Sequence, residues 1–321
     1  MKPILSIALV LSASCAFAFD SATWFGKRTI LDREAERLQA AFVAYDKKID
    51  AASENLTIPV ESYSNGTIKA SVSAKRAQFF LTEGFVWAAD VVLRQFAADG
   101  SVEAQVNAEK CLVDRNSRSA WVEGHATAKY RDTELEGDGI YFSFAEEYVR
   151  ISTNTEIRIK DIKLDKIENP PQAAPDGTDA TIVSVRSDYD RREGLLMLER
   201  DVKIVNGGYS LSGDELYVFT SGTNELKRIV ANGNVRVRNG ERKGACAKAL
   251  YVKSDNRVTM FGDGEGSPAR LKDEGKNKAE VEGRKITFWL DTEQVEVEGS
   301  TITLDRATWG DAGGMKEILG K

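Results

Sequence analysis

The chain has 321 residues, 42% of them hydrophobic, which suits two ordinary cores better than one. Its 44 basic and 50 acidic side chains leave a formal charge of -6, and the two signs are interspersed, so no run reads as a nucleic-acid groove and no nucleic-acid partner is expected. A single histidine and three cysteines without clustering exclude an ordinary zinc site.

Residues 1–18 read as an export signal, with Lys2 as the positive start, Ile4 to Leu11 as the apolar centre and Ala16-Phe17-Ala18 as the cleavage site. The apolar run is shorter than the roughly 20 residues a bilayer-spanning helix needs, so a soluble exported chain beginning at Phe19 is expected. Acylation at Cys15 after Ser12-Ala13-Ser14 is the rival, weakened because serine stands where leucine is usual, and an uncleaved anchor is a further one.

Ile30, Leu31, Leu38, Ala41, Phe42, Tyr45 and Ile49 recur at helical spacing and predict one helix over residues 28–51 that caps or spaces the sheet end. Ser53 to Gly66 reads as a turn-rich connection, with Asn65-Gly66 as a hairpin turn. Asn55-Leu56-Thr57 and Asn65-Gly66-Thr67 match a glycosylation acceptor pattern that would be idle in a bacterial chain.

Strand follows strand from there: Ile68–Leu81, Phe85–Phe96, Val102–Val113, Ala120–Arg131, Thr133–Phe144 and Tyr148–Ile159, several with plain apolar-polar alternation. Asn169 to Gly177 holds three of the six prolines and breaks the pattern, as a linker does. The second half reads Thr181–Arg186, Gly194–Glu199, Val202–Val205, Tyr209–Phe219, Leu226–Val230, Val235–Arg238, Ala245–Lys253, Arg257–Phe261, Ala279–Leu290, Gln294–Val297 and Thr301–Leu304. Asp263 to Gly275 is expected to be a mobile loop, and the chain from Ala307 a frayed tail. The expected division is thus a signal peptide (1–18), helix and connection (19–58), first β module (59–166), linker (167–178), second β module (179–306) and tail (307–321).

A unit repeats through these strands. Gly213-Asp214-Glu215-Leu216-Tyr217-Val218-Phe219 recurs as Gly137 to Phe142, Ala247 to Val252 and Gly283 to Phe288, with 34 and 36 positions between the last three starts. A second element, Val230-Ala231-Asn232-Gly233-Asn234-Val235-Arg236-Val237, recurs as Val122 to Ala128, Leu198 to Ile204 and, degenerately, Val295 to Gly299. Such a period marks stacked units that bury their apolar faces against neighbours.

Catalytic chemistry is not visible. His125 falls where other copies have Asp201 and Asn234, which fits a turn or edge role. Carboxylates alternate with apolar residues, as in Val295-Glu296-Val297-Glu298, and so stand on wet faces. Gly262-Asp263-Gly264-Glu265-Gly266 lacks the lysine of a phosphate loop. Cys111 and Cys246 read better as small buried hydrophobes than as a disulfide. No metal and no cofactor is expected.

What remains is an apolar stripe: Tyr209, Leu211, Leu216, Val218, Val235, Val237, Leu250, Val252, Ile286 and Phe288 are expected on one inward face. If facing walls meet, the stripe is a core, the default for apolar side chains. If they splay, it is a trough for acyl chains, each methylene gaining about 0.8 kcal/mol on burial.

At Asp214-Glu215-Leu216-Tyr217, Val230 to Val237 and Ala247 to Tyr251, the chain resembles the lipopolysaccharide-transport proteins of the LptA/OstA and LptC type. The resemblance covers Thr181 to Leu304 well and Ile68 to Lys160 loosely, where Gly124-His125-Ala126 replaces the Gly-Asn-Val turn. It implies an all-β fold of folded-over antiparallel sheets (a β-taco or β-jellyroll), here as two modules with one N-terminal helix. It also implies a periplasmic, non-enzymatic protein whose slot shields lipid A acyl chains. Lipopolysaccharide or a related glycolipid would be its cargo. Its sheet edges would pair with other bridge proteins, including inner-membrane ABC transporter components and an outer-membrane translocon. The chain departs from the family in carrying two modules and no LptC-type anchor. Two other classes stay open: a structural or adhesive envelope β protein with a closed core, and a glycan-processing enzyme with carboxylates converging in a cleft.

Overall fold

Alternating, β-branched sequence makes strands whose one face must be buried, and here the long strands pair with their neighbours along the chain, while the short ones also pair with strands one to three further on. The computed structural model describes residues 21–304 except 51, 131–132, 161–178, 222–225, 265, 276–278, 291, 293 and 300. The expected signal peptide, linker and tail lie outside the described residues. The described chain comprises helix α1 (Ser21–Asp46) and one 19-stranded antiparallel sheet. The all-β, folded-over architecture with one N-terminal helix is as expected from the resemblance.

The first strands are β1 (Ser53–Ser62), β2 (Ile68–Phe80), β3 (Phe85–Phe96), β4 (Val102–Asp114), β5 (Ser119–Tyr130), β6 (Thr133–Ser143) and β7 (Tyr148–Ile159). Then follow β8 (Ala180–Ser184), β9 (Arg186–Asp190), β10 (Leu195–Asn206), β11 (Tyr209–Thr220), β12 (Leu226–Asn239) and β13 (Arg242–Val252). The last are β14 (Arg257–Phe261), β15 (Ala269–Asp273), β16 (Ala279–Gly283), β17 (Lys285–Trp289), β18 (Val295–Glu298) and β19 (Thr301–Leu304). Because β8 and β9 pair with β7 on one side and β10 on the other, the hydrogen-bond ladder joins the two halves without a break.

Each long strand is creased near its middle. Left-handed backbone at Gly124, Gly139, Asn154, Asp201 and Asn234 coincides with bulges in the pairing, and bulges bend a strand; at Asp90, also left-handed, the ladder skips a pair without a change of register. Four passes break outright at this line, giving the pairs β8/β9, β14/β15, β16/β17 and β18/β19. The result is two facing walls. Wall one contains the β9, β14, β17 and β18 segments and the adjoining halves of the long strands; wall two contains β1, β8, β15, β16 and β19.

The repeat motifs explain the crease. Asn234 Nδ2 donates to Asp214 Oδ2 at 2.9 Å, and Asn154 Nδ2 donates to Asp138 Oδ2 at 2.6 Å. His125 Nδ1 stands 3.1 Å from Asp138 Oδ1. Thus the Gly-Asp of one strand accepts from the left-handed residue of the next. Asn232-Gly233-Asn234 is therefore a fold line inside β12, not a turn between two strands. Gly233 has φ +71°, and a Cβ there would lie 2.3 Å from Asp214 Oδ2, so glycine is required on both counts.

Helix α1 covers the back of wall one. Trp24, Leu31, Ala35, Leu38 and Phe42 form its buried stripe at spacings of three, four and seven. The last four pack on Phe85, Trp87, Leu112, Trp121, Tyr141 and Tyr148, while Trp24 packs on Leu195, Met197, Tyr217 and Val230. It begins at Ser21 and ends at Asp46, earlier than expected, and Ile30 is exposed. It lies across both halves instead of plugging a sheet end.

Charge fixes that position. Asp188 on β9, fully buried, receives Arg28 Nη2 at 2.8 Å, both nitrogens of the Arg186 fork at 2.9 Å, and the Tyr148 hydroxyl at 2.5 Å. Asp32 accepts from Arg150 at 3.0 Å and Arg186 at 2.8 Å, and Lys27 reaches Asp190 at 2.8 Å. Burial opposes the charge of Arg28, yet its bond to Glu199 and the field of Asp188 outweigh it and hold its pKa above the usual arginine value. Burial, with the Asp188 charge, pushes the Tyr148 hydroxyl up.

Two segments differ from expectation. Ser53–Ser62 is an edge strand paired along β2, although Asn65-Gly66 does turn the chain into β2 as expected. Ala269–Asp273, inside the expected mobile loop, is a strand held between β13 and β16.

Two stability outcomes follow from the crease and the buried carboxylate. Gly233→Ala is expected to lose about 1–3 kcal/mol in urea denaturation, against little change for Gly208→Ala, where a Cβ meets nothing within 4 Å. Asp188→Ala removes one carboxylate from each of two half-buried guanidiniums, Arg28 keeping Glu199 and Arg186 keeping Asp32, and is expected to cost about 1–3 kcal/mol, whereas exposed Glu36→Ala stays within about 0.5 kcal/mol.

Candidate functional site: a creased apolar slot

The inner face of wall one is built from register rows that run across the whole sheet. Next to the crease, Ala77, Ala88, Cys111, Val122, Ile140 and Ile151 pair in sequence through the first half. Ser187 carries the row across the join to Leu198, Leu216, Ala231, Ala249, Met260, Ile286 and Val297. From Ala77 to Ile286 every member is buried. Facing it from wall two, Val202 and Val235 are buried, so the walls meet at the crease.

Two residues nearer the rim on each strand, the next inner row behaves differently along its length. Its terminal members on the edge strands, Phe79 and Val295, are exposed; inside them Val86, Val113 and Ala120 are buried, as are Val258 and Phe288 near the far end. Between them Phe142, Val149, Tyr189, Leu196, Val218, Ile229 and Tyr251 are partly exposed on seven consecutive strands. At about 4.8 Å per strand that stretch is about 29 Å long. Leu211, Ile204 and Val237 of wall two face it and are also partly exposed. Inside its edge strands the slot is thus closed on either side of an open middle that lies across the join.

The expected stripe divides between two faces. Leu216, Val218, Val235, Val237, Leu211, Ile286 and Phe288 stand on the inner face, and Tyr209, two positions from Leu211, shares it at the strand end. Leu250 does not: it packs with Trp24, Leu195, Met197 and Val230 on the back of wall one. Val252 alternates with it and pairs with Arg228, whose guanidinium lies over the Phe219 ring on that same back face. The cause is a repeat set one residue late. Register equates Leu216 with Ala249, so the unit begins at Cys246 and not Ala247. Sequence reading also missed Val149, Tyr189, Leu196, Ile229 and Tyr251, of which Leu196 and Ile229 carried a legible signal: each stands two residues from a buried partner in the Leu198 and Ala231 copies of the second repeat element.

Both cysteines lie in this slot and are free. Burial pushes the Cys111 thiol up to about 12 and that of Cys246 to about 11. A separate cavity of about 180 Å³ lies among Thr127, Lys129, Glu134, Glu136, Glu156 and Arg158 on the outer face of wall two. Its side chains are occupied with each other, Arg158 bridging Glu156 at 2.6 Å and Glu136 at 3.4 Å. Among the described residues no group of three His, Cys, Asp or Glu side chains is placed to hold a metal, and no helix is long and apolar enough to cross a membrane.

Comparison with known proteins points to the second half. Residues 181–294 match the family described as "LptA/(LptD N-terminal domain) LPS transport protein". The resemblance drawn from the repeats is borne out over that stretch. Among solved structures, LptH from Pseudomonas aeruginosa, described as the LptA-homologous periplasmic component of the lipopolysaccharide transport device, is similar with a TM-score of 0.35 and 14% identity, covering 39% of this chain and 94% of that one. Among curated proteins no match is found.

The sealed section is open to a chemical check. In the native protein at pH 8, a maleimide is expected to label half-buried Cys246 at least about tenfold faster than fully buried Cys111, and denaturant should equalise the two. Equal native rates would mean that the first half is open as well.

Proposed function

We propose that the protein is an exported, non-enzymatic carrier that shields the acyl chains of lipopolysaccharide, or of a related glycolipid, during transport across the periplasm. The observation that carries this reading is the run of partly exposed apolar side chains from Phe142 to Tyr251, backed by buried rows at the crease. Aliphatic and aromatic groups so arranged favour fatty tails through area removed from water, with no need for hydrogen bonds. The family matched by residues 181–294 supports the cargo class.

Loading requires the walls to part. A 180 Å³ cavity corresponds to only a few waters, at about 30 Å³ each, and it lies outside the slot. The crease supplies the hinge, because the bulges there interrupt the ladder and leave each wall's own pairing intact. Edge pairing with neighbouring bridge proteins, including inner-membrane ABC transporter components and an outer-membrane translocon, would use β1 at one end and β18 with β19 at the other. The two modules expected from the sequence would then act as one slot, fused through β8 and β9.

A sealed structural protein is the second reading, favoured by the closed first half, where Val86, Val113 and Ala120 leave no mouth. Photo-crosslinking in cells separates the two. Benzoylphenylalanine at Val218 or Ile229 is expected to give glycolipid adducts, with none at Leu250 on the opposite face or at Val113 in the sealed section. Absence of adducts at every inner position would leave the structural reading standing.

A further inference from the structure

The outer face of wall two carries an uneven share of the chain's positive charge. On β10, β12, β13 and β15 the inner positions are Val202, Ile204, Val235, Val237, Cys246 and Leu271, so the residues between them point outward. Those residues include Lys203, Arg236, Arg238, Lys243, Arg270 and Lys272, all exposed. Register gathers them: Lys203, Arg236 and Arg270 share one row, with Ser212 and Ala245 between them, and Arg238, Lys243 and Lys272 are adjacent in the next. Five neighbouring strands at about 4.8 Å make a patch about 19 Å wide.

Acids touch it only at its margins. Glu282 pairs with Arg270 at 2.7 Å, and Glu274 takes Lys243 at 2.6 Å and Lys272 at 3.7 Å. Asp201 and Asp214 lie along the crease. Among the described residues no acid comes within 4 Å of the charged groups of Lys203, Arg236 or Arg238. In a chain of formal charge -6, this is a local reversal of sign.

We propose that this face docks on the surface of an anionic phospholipid bilayer. A protein partner would call for a central apolar or aromatic anchor, and the positions between the cations hold only Ser210, Ser212 and Ala245. Single-stranded nucleic acid would call for aromatic stacking platforms, which this patch lacks. A charged bilayer needs neither, and it attracts each surface lysine or arginine separately within a Debye length. Docking this way lays the wall flat on the headgroups, with the slot on its far side and the mouth opening along the membrane.

The test is co-sedimentation of the full chain with vesicles of phosphatidylcholine containing phosphatidylglycerol, and with phosphatidylcholine alone. The wild-type chain is expected to bind the anionic vesicles only, and to be released by salt. K203E/R236E/R238E is expected to lower that binding at least about tenfold, with an unchanged melting curve because all three residues are exposed. R33E/K47E/K75E makes the same change in net charge on other exposed surfaces and is expected to bind as wild type. Equal binding to neutral vesicles, unaltered binding of the first variant, equal loss in both variants, or no vesicle binding would each overturn the proposal. None of these outcomes bears on adducts inside the slot.

Discussion

The fold depends on a line of left-handed residues that interrupts β3, β5, β6, β7, β10 and β12 at the same depth, where the strands between them also lose ladder pairs. Without it, these strands would make an open sheet with one face apolar and exposed over its full width. With it, the sheet doubles back and each strand buries its own two halves against each other. The cost of left-handed backbone at residues such as Asn154, Asp201 and Asn234 is offset by the apolar rows it brings together and by the carboxylates of Asp138 and Asp214 that accept from neighbouring crease side chains. A line of bulges is also where such a sheet bends most readily, so the element that closes the slot is the one placed to open it.

The second constraint is the back of wall one. A slot wall that is apolar on both faces needs cover on one of them, and α1 supplies it with a stripe from Trp24 to Phe42. The helix is pinned by Asp188 and Asp190 on β9, the strand segment that joins the halves. A buried network of this kind adds little net stability over an apolar contact, but it fixes register, because any slip strands a charge. The join is therefore held twice, by the ladder through β8 and β9 and by the helix lying across it.

Much of this was legible in the sequence. Val102 to Asp114 or Tyr148 to Ile159 announce themselves through alternation, and the boundaries of β3, β7 and β14 coincide with those read from it. The helix was legible in kind but not in extent, because Trp24 and Arg28 continue the stripe through residues that are not uniformly apolar. Ser53–Ser62 was hidden by Pro59 and its polar edge positions, both of which an edge strand tolerates. Ala269–Asp273 was hidden by the glycines that flank it. The crease itself read as a turn, since Asn-Gly carries the same local signal in both settings. The misplaced faces of Leu250 and Val252 have one cause: parity changes across the crease in β11 and β13, so a one-residue error in aligning copies moves a side chain from slot to back. The open middle of the slot was not legible at all, because it depends on which rows meet across the two walls.

The central claim is that the two walls part along the crease to admit fatty tails. Spin labels at Val218 on one wall and Val237 on the other report that separation directly by pulsed electron resonance. Addition of lipopolysaccharide should lengthen the distance between them, while a label pair at Val218 and Leu196 within one wall stays fixed. A Val218 to Val237 distance that does not change with glycolipid present would contradict the account.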